Sequence, residues 1–118
     1  MEKIKCICVM REIVKALSSL EAELERRYGV TLNQAMVLCC IGHERVTSTA
    51  ISENIGLTPS NTSKLLRSME EKSLITRTMG HDDRRCIYYS ITPEGLKRLH
   101  ALKTSQLPIP PGIAPLFS

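Results

Sequence analysis

One stretch of the chain combines small hydroxyl side chains with cations at a spacing that could contact DNA. Thr58 followed by Pro59 is a helix-start signal, and helical periodicity continues to about residue 72. At about 100° per residue, the apolar side chains of this helix fall on one side. The polar side chains on or beside the other side are Ser60, Asn61, Ser63, Lys64 and Arg67. Small side chains let a helix backbone approach base edges in the major groove, and the cations reach guanine or phosphate. A solvated helix face is the alternative interpretation of this pattern.

A second group of charges lies in residues 80–85. Arg84 and Arg85 stand beside the expected turn of a hairpin, where a guanidinium could enter the narrow minor groove of DNA. Asp82 and Asp83 precede them, and a carboxylate close to a guanidinium orients it and lowers the entropy lost on binding. Taken alone, a solvated charged turn is the simpler interpretation of this segment.

The cysteines raise two further kinds of site. Cys39 and His43 are four residues apart and would share a helix face, but no second spaced pair completes a metal-binding set. We therefore expect no metal and no cofactor, and we interpret Cys39 and Cys40 first as small buried side chains. Redox sensing by these two, or by Cys6 and Cys8 near a dimer seam, is the open alternative.

Composition excludes several classes of protein. A chain of 118 residues fits one domain, and the net charge of +4 lies entirely after residue 57, which is consistent with a polyanionic partner. Aromatic residues make up only 3%, which disfavours single-strand binding by stacking. The three histidines are scattered and no glycine-rich phosphate motif is present, so we expect no enzyme. No apolar run is long enough for a membrane span or a secretory signal, so we expect a cytoplasmic, reduced protein without a membrane partner.

The elements that must position these residues follow from periodicity and turn signals. A long first helix is predicted over residues 4–27, with an apolar stripe that contains Met10, Val14, Leu17, Leu20, Leu24 and Tyr28, extended by Ile4 and Ile7. Further helices are predicted over residues 31–41, 48–55, 59–72 and 93–103, and strands over residues 74–79 and 86–91. Residues 105–118 hold four of the six prolines and no charge, so an extended or disordered tail is expected after a domain of residues 1–104.

Several of these residues also match a known family pattern. Asp83, Arg84 and Arg85, followed by Tyr89, Ile91-Thr92 and Gly95, resemble an Asp-x-Arg wing signature that leads into a Leu-Thr-x-x-Gly helix start. Residues 60–69, followed by Glu70, Lys72, Leu74, Ile75 and Arg77, resemble a recognition helix and the entry to a wing. Over residues 32–102 the chain resembles the MarR family of winged helix-turn-helix transcriptional regulators.

The resemblance implies a homodimer on a pseudo-palindromic operator, with a helix of each protomer in a major groove and a wing in the flanking minor groove. It implies Arg85 as the wing arginine and Asp83 as its structural partner. In many family members a small amphipathic ligand or cysteine oxidation releases the DNA, so a small-molecule effector is a candidate partner. Two positions depart from the family: Ser73 replaces a usual glycine, and prolines begin soon after Lys103 where the family has a longer helical region. The first and fifth helices are therefore the expected dimer interface.

The expected fold is α+β and mostly α, a winged helix-turn-helix with a two-stranded β-wing and flanking dimerisation helices. The expected function is that of a sequence-specific regulator, in the role of a repressor, that binds double-stranded DNA. The alternative is a winged-helix module that binds protein, which would need an apolar patch in place of the polar face of the fourth helix.

Overall fold

The computed structural model describes residues 2–80 and 86–104, without the side chains of residues 2–4. These residues fall into two units, residues 2–32 and Asn33–Thr104. The first unit contains the long helix α1 (Glu2–Tyr28), and the second contains the remaining elements from Asn33 onward. The predicted tail of residues 105–118 lies outside the described residues, so the boundary at residue 104 stays a prediction.

The second unit has the element order of a winged helix. Its elements are α2 (Leu32–Ile41), β1 (Val46–Thr47), α3 (Ser48–Ile55), α4 (Pro59–Glu71), β2 (Ile75–Met79), β3 (Ile87–Ile91) and α5 (Pro93–Lys103). The five predicted helices and the two wing strands are confirmed, each within about two residues of its predicted bounds.

Threonine caps explain where three of the helices begin. The side chains of Thr47, Thr58 and Thr92 accept hydrogen bonds from the backbone N–H groups of Ala50, Asn61 and Gly95 at 3.0–3.1 Å. Each bond satisfies an amide that has no partner within its own helix. Pro59 and Pro93 follow two of these caps, where the missing N–H costs nothing.

The sheet has one strand more than the sequence predicted. Its order is β1-β3-β2, with both pairs antiparallel and β3 in the centre. The extra strand β1 has only two residues and pairs Val46 with Tyr89, and a strand this short leaves no period in the sequence. In the β2–β3 ladder, Arg77 lies opposite Tyr89 and Met79 lies opposite Ile87.

Aliphatic side chains and methionine form the core of the second unit. The fully buried ones are Val37, Leu38 and Ile41 of α2, Ile51 of α3, Leu66 and Met69 of α4, Leu74, and Ile75 of β2. Every buried side-chain nitrogen or oxygen among the described residues has a hydrogen-bond partner. In the described part of the chain, no helix combines the length and apolarity needed to cross a membrane.

Candidate nucleic-acid interface

The outer face of α4 contains all five residues that the sequence singled out on this helix. Ser60, Asn61, Ser63, Lys64 and Arg67 are each exposed. On the opposite side, Thr62, Leu66 and Met69 are buried in the core. The helix is therefore fixed by its apolar side and presents hydroxyl, amide and cationic groups to solvent. The structure brings the five together on one surface, and their contacts with DNA stay a prediction.

The start of α4 favours an anion. The first turn contains no acidic residue, so the positive end of the helix dipole is not neutralised locally. The Thr58 side chain accepts from the Asn61 N–H at 3.1 Å, while the Thr58 carbonyl accepts from the Thr62 hydroxyl at 2.8 Å. Thr62 can therefore be buried without an unsatisfied hydroxyl, which helps hold the first turn in one orientation.

A buried amide contacts the other end of α4. The sequence pattern places Gln34 in a capping box with Thr31 at the start of α2 and does not predict this contact. Gln34 of α2 is only 4% exposed. Its Oε1 accepts from Lys72 Nζ at 3.1 Å, and its Nε2 donates to the Ser68 hydroxyl at 3.4 Å. The available signal was a polar residue within an apolar stretch of α2, but its partner lies 38 positions away in sequence.

The turn from α4 into the wing is strained at Ser73. This residue has φ +60°, a left-handed conformation that glycine adopts at lower cost. The Thr92 hydroxyl donates to the Ser73 carbonyl at 2.6 Å, so the start of α5 is bonded to this turn. Nearby, a Cβ on Gly95 would lie 2.2 Å from the Leu74 carbonyl oxygen. The close approach of α5 to the wing therefore requires glycine at position 95.

The wing tip lies outside the described residues. Asp83, Arg84 and Arg85 all fall within residues 81–85, so their predicted roles are neither confirmed nor contradicted. The strands that lead to the tip are present, and Gly80 donates its N–H to the Cys86 carbonyl at 2.9 Å across their ends. On the sheet itself, the Arg45 guanidinium lies 4.9 Å from the centre of the Tyr88 ring, a cation–π contact that the sequence did not predict.

A cleft of about 350 Å³ separates α4 from the wing sheet. We call it the α4–wing cleft; it is lined by Ser63, Arg67 and Glu70 of α4 and by Arg77, Ile87 and Tyr89 of the sheet. Glu70 Oε2 lies 3.9 Å from Arg77 Nε. Burial raises the pKa of Tyr89 and the Glu70 charge raises it further, whereas the Arg77 charge and an Arg77 hydrogen bond lower it. The three groups therefore interact, although the sequence marked Glu70 and Arg77 only through the family resemblance.

The apolar stripe of α1 is divided between buried and exposed positions. Leu24 is 4% exposed, as a core residue would be. Ile7 is 67% exposed and Val14 61%, and Met10 and Leu17 are also exposed. We call these last four the α1 apolar face. Their spacing of three and four residues makes them one continuous strip on the helix.

The cysteines differ from the first expectation. Cys39 is exposed, so its predicted place in the core is wrong, and Cys40 is only partly buried. Burial and the neighbouring Cys39 raise the pKa of the Cys40 thiol. Cys6 on α1 is exposed, and Cys8 is intermediate. Among the described residues, no three histidine, cysteine or acidic side chains are grouped as metal ligands would be.

Comparisons with known proteins find similarity to transcriptional regulators. Residues 30–87 match the model of the MarR family. The chain is 29% identical over 87 residues to an uncharacterised HTH-type transcriptional regulator, YhjH, of Bacillus subtilis. That alignment covers 73% of this chain and 49% of YhjH, so the chain matches about half the length of this relative.

Solved structures share the fold. AbsC, a MarR family transcriptional regulator from Streptomyces coelicolor, superposes with a TM-score of 0.79 at 20% identity, covering 86% of this chain and 70% of AbsC. The S. aureus MepR–DNA complex superposes with a TM-score of 0.72 at 24% identity, covering 80% of this chain and 72% of MepR. Together with the element order and the sheet, these similarities show a winged-helix fold.

Proposed function

We propose that the chain is a member of the MarR family of transcriptional regulators, whose model residues 30–87 match. In this proposal it binds double-stranded DNA in a sequence-specific way and represses transcription, as its similarity to an HTH-type regulator suggests. In this proposal the protein acts as a homodimer on a pseudo-palindromic operator, so that two copies of α4 enter successive major grooves. The solved relative MepR is complexed with DNA, which supports the same partner for this chain.

The exposed face of α4 is the single observation that carries the proposal. Ser60, Asn61 and Ser63 are short enough to let the helix backbone lie close to base edges, while Lys64 and Arg67 reach bases or phosphates. Caps and core contacts hold the helix in one orientation. A helix fixed in this way loses little conformational entropy when it binds.

The wing completes the proposed interface. Arg85 enters the minor groove next to the major groove that holds α4, Asp83 orients it, and Arg84 lies beside it at the DNA backbone. The wing strands support this role because β2 and β3 pair up to Met79 and Ile87, on either side of the tip, and both line the cleft beside α4. Arginine is the residue that a narrow, negative minor groove attracts.

The α1 apolar face is the proposed dimer interface. Burial of an apolar side chain stabilises a complex by roughly 1.5–3 kcal/mol when it is complete, and four such side chains are exposed here. A second copy of the chain presents the same strip, as a symmetric dimer requires. We propose that α5 also contributes to the dimer interface, as expected from the sequence.

Release from DNA is proposed to follow a small amphipathic ligand or the oxidation of a cysteine. Cys6 and Cys39 are the exposed thiols of the described residues and are therefore the first candidates for oxidation. We propose no catalytic step for the chain, and we propose that it acts in the cytoplasm.

The alternative of a protein-binding winged helix predicts an apolar patch on α4. The outer face of α4 is polar and cationic instead, which favours DNA. Selection of bound sequences from a random duplex pool, at near-physiological salt, tests the choice. An enriched inverted repeat is the expected result and supplies the operator. Weak, salt-sensitive binding without enrichment would contradict sequence-specific recognition and favour the protein-binding alternative.

A further inference from the structure

The α4–wing cleft contains a charge that a DNA-binding surface would ordinarily avoid. Glu70 follows the polar face of α4 by three residues and lines the cleft together with two arginines. A carboxylate near DNA repels the phosphates, so its effect on affinity alone should be unfavourable. Its contact with Arg77 suggests a different contribution.

Arg77 is the only charged residue within Ile75–Met79 and Ile87–Ile91. It lies directly opposite Tyr89 in the β2–β3 ladder, so the two side chains are on the same face of the sheet. Tyr89 is buried and lines the cleft. The strand register therefore directs Arg77 towards α4, although its side chain is still 56% exposed.

Glu70 lies beside this guanidinium without using all of its donors. Its side chain is 29% exposed, and the 3.9 Å approach is to Nε, one of the three guanidinium nitrogens. A guanidinium has five N–H donors in a fixed plane. Glu70 and Tyr89 are the partners that the described residues provide, so donors are left for an anion that enters the cleft.

The geometry of duplex DNA determines what that anion is. A major groove and the minor groove beside it are separated by one sugar–phosphate strand. A protein that places α4 in one groove and the wing in the other must therefore straddle that strand, and the gap between the two elements faces its phosphates. The α4–wing cleft is that gap.

We infer that Glu70 is a positioning residue that holds the Arg77 guanidinium in the α4–wing cleft, where Arg77 binds a phosphate of the DNA strand between the two grooves. This inference rests on the proposed DNA binding and adds Arg77 to the residues that contact DNA. Because phosphates are the same in every sequence, the contact contributes to affinity without contributing to base preference.

The test compares Glu70→Gln with Glu71→Gln on the selected operator and on an unrelated duplex. Both changes remove one negative charge from the end of α4, but Glu71 does not line the cleft. We expect Glu70→Gln to weaken binding to both duplexes about two- to fivefold, the effect of losing a partly exposed ion pair. Glu71→Gln should bind as tightly as the wild type or more tightly. If Glu70 affected binding only through its negative charge, both variants should bind DNA more tightly than the wild type.

Arg77 variants show whether Glu70 acts through the guanidinium. Arg77→Ala should lower the slope of log K against log salt concentration by about one, whereas Arg77→Lys keeps the charge and retains the slope. Lys97→Ala on α5 removes a cation outside the cleft and should leave the slope unchanged. In the Arg77→Ala background, Glu70→Gln should no longer weaken binding, because there is no guanidinium left to position. Thermal unfolding of each variant identifies temperatures at which all of them are folded.

The outcomes separate this inference from the proposed function. Wild-type protein that binds an operator while Glu70→Gln binds it equally tightly or more tightly would overturn the positioning role and leave DNA recognition standing. The same holds for a Glu70→Gln loss that persists in full without Arg77. Wild-type protein that selects no duplex would overturn both.

Discussion

Helix α4 buries one side and exposes the other, whereas the apolar stripe of α1 is buried at Leu24 and exposed along the α1 apolar face. The two exposed surfaces are chemically opposite. The outer face of α4 consists of hydroxyl, amide and cationic groups, which are exposed to solvent. The α1 apolar face consists of aliphatic and methionine side chains. Exposure of the first surface to water costs little free energy. Covering the second surface with another apolar surface removes it from water and lowers the free energy.

In the proposed function, the two surfaces bind two kinds of partner, DNA and a second copy of the chain. A cationic face with small side chains recognises a polyanion, and its affinity falls with salt. An apolar strip recognises another apolar strip, and its affinity is far less sensitive to salt. Substitutions on the outer face of α4 should therefore change DNA affinity, whereas substitutions on the α1 apolar face should change self-association.

The largest expected effect comes from a charge in the α1 apolar face. Val14→Asp places a carboxylate in the centre of the strip, where dimerisation would desolvate it without a cation expected opposite. We expect the dimer dissociation constant to rise at least about 100-fold, equivalent to about 2.7 kcal/mol. Operator affinity should fall with it, because the two half-sites are then bound separately.

Sedimentation equilibrium measures the association, and Ser19→Asp is the matched control. Ser19 is exposed on the same helix and lies about 140° around it from Val14, at about 100° per residue. This control should associate like the wild type. Equal association of all three proteins would mean that the α1 apolar face is covered by something other than a second copy.

The next largest effect is expected on α4 and should leave association unchanged. Replacement of Arg67 by alanine removes an exposed guanidinium from the outer face. If Arg67 contacts a base, binding should weaken by about 1–3 kcal/mol at a single operator position, roughly 5- to 150-fold, and that position should lose its base preference. Competition with operators mutated one pair at a time measures the effect. Uniform weakening on every sequence would instead assign Arg67 to a phosphate.

Thiol reactivity tests whether association covers α1. Cys6 precedes Met10 by one helical turn, so a dimer through the α1 apolar face should shield it. At a protein concentration about 100 times the dimer dissociation constant, fewer than about a tenth of the chains are free, so alkylation of Cys6 should slow about tenfold. Val14→Asp should abolish the shielding. Mass spectrometry of labelled peptides measures both rates.

Two other thiols calibrate this measurement. Cys39 is exposed and should react quickly in both proteins. Burial raises the pKa of Cys40, so less of it is thiolate at neutral pH and it should react slowly, then faster as the pH rises towards that pKa. A Cys6 rate that is unaffected by protein concentration would argue against α1 as the interface.

Local signals in the sequence were sufficient to predict most of the fold. The caps at Thr58 and Thr92 and the prolines after them are adjacent residues, and the structure confirms the helix starts that they predict. Features that depend on distant partners could not be predicted in this way. The buried amide of Gln34 is satisfied by Lys72, and the contact of Glu70 with Arg77 depends on the left-handed turn between them.

Periodicity also leaves orientation undetermined. It identified the apolar stripe of α1 but not which members are buried, so Leu24 and Val14 looked equivalent although one is buried and the other exposed. It likewise placed Cys39 on an apolar helix without showing that its side chain faces solvent. On α4 the chemistry itself distinguishes the two sides, so the exposed candidates there could be chosen correctly. The wing-tip residues remain predictions from the family resemblance.

The smallest expected effect is a change in stability at Ser73, which belongs neither to the outer face of α4 nor to the α1 apolar face. Ser73→Gly relieves the left-handed strain at φ +60°, worth about 1–2 kcal/mol, but gives the unfolded chain about 0.5–1 kcal/mol more entropy. The free energy of unfolding should therefore rise by roughly 0.5–1 kcal/mol, while association and operator preference stay unchanged. The bond from the Thr92 hydroxyl is kept, because it reaches the Ser73 backbone carbonyl.

Urea unfolding measures the change, and Ser73→Ala, which keeps a Cβ and its strain, should show no gain. If Ser73→Gly altered operator preference, the turn would help to set the orientation of the wing relative to α4, and the outer face of α4 would no longer account for recognition by itself.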